Sequence, residues 1–163
     1  MSGVTERRAL LDALRDQREH VLRAVAGLPD DALRQPVLPS GWTCLGLVQH
    51  LALDVERFWF RAVLAGEAVD LCSGDKAWRV DTATPASAVL DTYREEIRQA
   101  DRVLERLDLG AEPAWWPEEV FSDLPARDVR QTILAVLVET ACHAGHLDAV
   151  RELLDGHQDL VLT

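Results

Sequence analysis

Four stretches of this 163-residue chain repeat apolar residues at helical spacing, and no stretch alternates as a strand would. That pattern excludes a sheet and predicts an all-α fold. In the first stretch Leu11, Leu14, Val21, Leu22 and Val25 share a face between Glu6 and Ala26, and Gly27 and Pro29 stop it. Thr43 is placed to cap a second helix that reaches about Ala65 before Gly66, with a core arc of Val48, Leu51, Ala52, Val55, Phe58, Trp59 and Ala62. Thr84 and Pro85 read as a cap and a first-turn proline for the third, whose stripe is Leu90, Tyr93, Ile97, Ala100, Leu104 and Leu107. Asp128 with Gln131 makes a capping box for the last, which runs to about Asp155 before Gly156. Its stripe is Val129, Val136, Leu147, Val150 and Leu154. Four amphipathic helices bury their stripes together as a four-helix bundle. The connections 28–42, 67–83 and 108–127 are longer than bundle loops need, so they permit crossovers and leave the helix order open. They carry Trp42, Trp78, Trp115 and Trp116, residues suited to walling a pocket or docking on the core.

This length, with 48% apolar residues, suits one domain over residues 1–163. A formal charge of -11 and the lack of a Lys/Arg cluster oppose a nucleic-acid partner. No uninterrupted apolar run is as long as a membrane span, and the charges near the N-terminus do not suit a signal peptide, so a cytoplasmic location is expected. Cys44, Cys72 and Cys142 form no CxxC pair, and Cys44 and Cys142 read as small buried hydrophobes. His20, on the polar side of the first helix, and His157, after Gly156, read as solvent-exposed.

The last helix breaks its own pattern. Glu139 and His143 lie about 40° apart at about 100° per residue, inside the arc of the apolar stripe. A carboxylate on a buried face needs an ion pair, hydrogen bonds or a metal. Two ligands at i, i+4 joined by one from a facing helix is a metal-site pattern of helical bundles, and His50 of the second helix is the candidate third ligand. His146, three residues after His143, competes with Glu139 for that set, because Glu139 and His146 are separated by a rise of about 10 Å. Three ligands leave a position for water or substrate. Asp54, one turn after His50, is placed to hold the imidazole's other nitrogen. Two other arrangements compete: a buried Glu139–Arg18 ion pair with no metal, and a soft pair of Cys142 and His146.

The stretches GWTCLGLVQHLALDVERFWF and ETACHAGHLDAVREL resemble the DinB-like superfamily, above all a branch common in actinobacteria, and the resemblance covers nearly the whole chain. It implies a four-helix bundle with long crossover connections, often a homodimer, holding a divalent metal such as zinc or nickel. Many members use three histidines; here His50 and His143 match the outer two and Glu139 replaces the middle one. The related mycothiol-dependent maleylpyruvate isomerases use a His, Glu, His set. By resemblance the ligands are His50, Glu139 and His143, with His146 in or beside the set. The activity so implied is metal activation of a small thiol such as mycothiol for S-transfer or isomerisation of an electrophile. A pocket with Arg57 and Arg61 beside His50 would suit an anionic thiol conjugate, whereas a packed site without one would favour a structural role. Alternatives are a metal-dependent hydrolase and a non-catalytic stress, ligand-binding or dimerisation bundle.

Overall fold

The computed structural model describes residues 2–159 and contains only helices, turns and connections among them. The first helix, α1, is Ser2–Val25, and a single turn, α2, follows at Asp30–Leu33. Helix α3 begins at Cys44–His50 and continues without a break into Leu51–Leu64. Helices α4 and α5 are Ala86–Arg106 and Val129–Asp155. Expected caps recur in place: the Thr43 side chain accepts from the Gly46 N–H, Asp128 and Gln131 form the reciprocal box, and Gly156 closes α5 at φ 77°. At α4 the cap is Pro85 and not Thr84, whose carbonyl instead accepts from Arg34.

Polar contacts fix the helix directions. Arg130 reaches Glu6 at one end of the α1–α5 pair, and His20 and Arg151 tie Asp148 and the Ala26 carbonyl at the other, so these helices run parallel. Arg7 meets the Leu107 carbonyl and Arg18 meets Asp101, which makes α4 antiparallel to α1. Gln49 bonds the Ala77 carbonyl before α4 begins, and Arg57 bonds Glu96 further along, so α3 runs with α4. The result is up-down-down-up, and the crossover is the connection from α3 to α4. α5 packs on α1 and also touches α3.

The second part of α3, Leu51–Leu64, is wound as a π-helix, a form defined by N–H bonds to the carbonyl five residues back, as from Ala65 to Phe60. This looser winding turns fewer degrees per residue than the α-helical reading assumes. Phe60 is therefore fully buried, whereas Phe58 and Trp59, expected in the core, are only half-buried. The free carbonyls at the end of this segment accept from the α4–α5 connection, Leu64 from the Ala114 N–H and Val63 from the Trp115 N–H. That docks residues 114–121, and Trp59 stacks on Phe121 at 5.5 Å.

Several burial expectations change. His20 is buried, held by Asp148 at 2.8 Å, because α1 and α5 face each other there. Cys142 is exposed. Glu139 lies at the edge of the buried face, its side chain 49% exposed, because the centre of that face is Val136, Thr140, Ala144 and Leu147. Arg18 has no contact with Glu139; it grips fully buried Glu56 through two hydrogen bonds of 2.7 and 2.6 Å. By length and mean composition α5 would suffice to cross a membrane, a test that the core helix of a bundle also passes; Leu134, Val138 and Leu153 keep its outer face apolar too.

Candidate metal centre

The site forms where α5 crosses α3, at the point where α3 changes winding. His50 is the last residue of the α-helical part. Asp54, one turn on, takes its ring nitrogen: Nδ1 and Oδ2 are 2.9 Å apart. A carboxylate only accepts, so Nδ1 carries the hydrogen and Nε2 presents a lone pair. This Nε2 is buried and has no hydrogen-bond partner. It is 3.6 Å from Oε1 of Glu139, while the same oxygen is 3.1 Å from Nε2 of His143.

One nitrogen of His50, one oxygen of Glu139 and one nitrogen of His143 all lie within 4.8 Å of one another. Two ligands each about 2.1 Å from one ion at tetrahedral angles stand about 3.4 Å apart. The observed separations match that spacing. An ordinary Glu139–His143 ion pair along the helix explains those two residues, but leaves His50 Nε2 buried with nothing to bond. The donor set of two imidazoles and a carboxylate suits a divalent first-row metal.

His146 stands outside this set. Its Nδ1 faces Nδ1 of His143 at 3.4 Å, and its ring is exposed beside Trp42 at 6.3 Å. Burial lowers the pKa of His143 from 6.5, partly opposed by the carboxylate of Glu139. The ring is thus held neutral near pH 7, the form that binds metal. Cys142 shares no contact with this group, so the soft Cys142–His146 pair has no geometric basis.

Trp78 roofs the site, stacked on His50 with ring centres 4.2 Å apart and planes 17° apart. Two residues put it there. Gly46 lets the turn Lys76–Trp78 lie against α3, since a Cβ at that position would come 2.3 Å from the Trp78 carbonyl. Gln49 donates to the carbonyls of Ala77 and Arg79 at 2.9 and 3.2 Å. Neither signal was read from the sequence, although both residues sit in the GWTCLGLVQH stretch. Arg57 and Arg61, which would suit an anionic conjugate if they lined a pocket, are bound to buried Glu96, with Arg61 also on Glu67.

A cavity of about 540 Å³ adjoins Asp54 and is walled by Leu53, Phe58, Leu71, Trp115 and Trp116. A second, of about 420 Å³, lies across Trp78 and is lined by Ser40, Trp42, Asp75 and Arg79. The tryptophan-bearing connections therefore both dock on the bundle and wall pockets.

A model of one protein family, described as mycothiol-S-transferase, matches residues 9–156. The chain belongs to the mycothiol S-transferase family. This family lies within the DinB-like superfamily, in agreement with the helical bundle described above. Membership supports a mycothiol-related S-transferase function and small-molecule thiols as substrates. Searches of curated proteins and of solved structures find no match.

Proposed function

We propose that the chain is a divalent-metal-dependent S-transferase in which His50, Glu139 and His143 hold the ion and mycothiol is the sulfur donor. The observation that carries this reading is His50 Nε2, buried, left as the lone-pair nitrogen in the tautomer that the Nδ1–Asp54 bond selects, and aimed at the carboxylate and imidazole of α5 without a hydrogen bond of its own. An unpartnered buried acceptor is costly, and a cation removes the cost. A bound zinc or nickel ion would lower the pKa of a thiol so that it is presented as thiolate at neutral pH.

The chain's own residues supply the rest. Asp54 fixes the His50 ring and its tautomer. His146 contacts Nδ1 of His143, on the side away from Glu139, and is assigned an orienting role in place of a ligand's. Trp78 covers His50 and limits access of water from one side. The net reaction joins the thiol RSH and an acceptor R′X to give RSR′ and HX. The sulfur–carbon bond forms, the carbon–X bond breaks, and the thiol proton leaves with X.

In this reading the chain is a single-domain cytoplasmic enzyme. The exposed apolar face of α5, with Leu134, Val138 and Leu153, supports a homodimer, which light scattering would establish. The test of function is S-transfer from mycothiol to chlorodinitrobenzene, followed by mass spectrometry of the conjugate and by chloride release. Zinc- or nickel-loaded protein is expected to exceed the uncatalysed rate, and His50→Ala is expected to abolish the gain. A loaded protein that forms no conjugate above background removes the transferase reading and leaves a metal- or ligand-binding bundle.

A further inference from the structure

The cavity beside Asp54 has a character of its own. Its walls are Leu53, Phe58, Leu71, Trp115, Trp116 and Val120, and its charged lining consists of Asp54, Glu118 and Glu119 without a lysine or arginine. Leu71, Trp115 and Val120 are exposed apolar residues gathered at its mouth, a patch that a ligand would cover.

Cations stand near but not in the cavity. Arg57 and Lys76 lie within electrostatic reach of Cys72, one of the lining residues. Arg57 is committed to Glu96 and to the Asp70 carbonyl, and Lys76 is exposed outside the lining. An anion entering here would meet three carboxylates and no donor of opposite charge. Aromatic walls, by contrast, favour a flat apolar ring and attract a cation through their faces.

We infer that this cavity binds the acceptor substrate, and that it selects neutral or cationic aromatic compounds while rejecting anionic ones. The word acceptor rests on the S-transferase reading; the selectivity does not. Arg57 and Arg61 do not alter this selectivity, because Glu96 of α4 and Glu67 of the α3–α4 connection hold them.

The test uses three probes of one shape, naphthylmethylamine, naphthylmethanol and naphthoate, titrated into the full chain at neutral pH without thiol, by calorimetry and tryptophan fluorescence. Carboxylates at roughly 5 Å in water-exposed surroundings give each charge a preference of a few-fold, so the ammonium is expected to bind about ten-fold or more tighter than the carboxylate. The alcohol should fall between them. The double variant Glu118→Gln/Glu119→Gln is expected to narrow the gap to about three-fold and leave the alcohol unchanged. Val120→Arg, at an exposed position where folding is little affected, should raise naphthoate affinity and lower that of the amine.

Naphthoate binding as tightly as the amine, no binding of any probe, or a preference insensitive to both variants would each overturn the inference. Absence of S-transfer with the probe preference intact would remove the enzymatic reading alone. Transfer to anionic acceptors as fast as to neutral ones would remove this inference alone.

Discussion

Replacing Arg18 by Met tests the pairing that leaves Glu139 free. The Arg18 and Glu56 side chains are 4% and 1% exposed and joined by two hydrogen bonds. Methionine matches much of the arginine stem but abandons a buried carboxylate, a change that costs about 3–5 kcal/mol. Loss of the second contact, to half-exposed Asp101, adds at most about 1 kcal/mol. In a domain of this size each kcal/mol shifts Tm by about 2–4 °C, so Arg18→Met should melt about 6–24 °C lower. Changing Glu56 to Met as well removes the stranded charge, and the double variant should recover most of that loss. Urea titration and calorimetry of wild type, both single variants and the double variant give the coupling. A loss under about 1 kcal/mol, the value of an exposed pair, would refute a buried bidentate bridge. So would a fall in metal binding at temperatures where Arg18→Met is folded, since that links Arg18 to Glu139.

Other consequences follow from the same geometry. Asp54→Asn removes the carboxylate that orients His50, and metal affinity measured by competition with a chromophoric chelator should weaken about 10–100-fold; unchanged affinity would contradict the orienting role. Burial holds His143 below 6.5 in the folded chain, whereas the unfolded histidine protonates near 6.5, so the unfolded state binds more protons just below that pH and stability rises with pH there. Metal-free wild type should therefore lose stability as pH falls through that window, and His143→Gln should flatten the slope of the urea midpoint against pH. Burial pushes the Cys44 thiol up to about 11, while Cys142 is exposed. With a chromogenic disulfide, Cys142 should react first, Cys72 more slowly because burial and Asp54 raise its pKa, and Cys44 only on unfolding. Cys142→Ser should delete the fast phase.

The helices, most of their caps and the meeting of His50 with Glu139 and His143 were legible because helical period and capping chemistry are local. What was hidden depends on partners distant in sequence. His20 reads as solvent-facing on α1, yet the parallel packing of α5 brings Asp148 against it. Arg18 and Glu139 are both charges on apolar stripes, and sequence alone could not show that Glu56 claims Arg18. Phe60 and Glu56 are buried through the π winding, which moves the inward face away from the arc expected of an α-helix. The roof over His50 depends on an eased approach at Gly46 and on the Gln49 amide, features that become meaningful only when Trp78 is seen against them. Arg57 and Arg61 illustrate the same limit: arginines beside a site say little until their carboxylate partners are known.

The most direct measurement is metal content by mass spectrometry on untagged protein purified without chelator, for wild type and for His50→Ala, Glu139→Gln, His143→Ala and His146→Ala. Near-stoichiometric zinc or nickel in wild type and His146→Ala, lost in the other three, is the predicted result. Metal-free wild type that cannot be loaded with either ion, or retention of metal by His50→Ala, would contradict the three-residue centre.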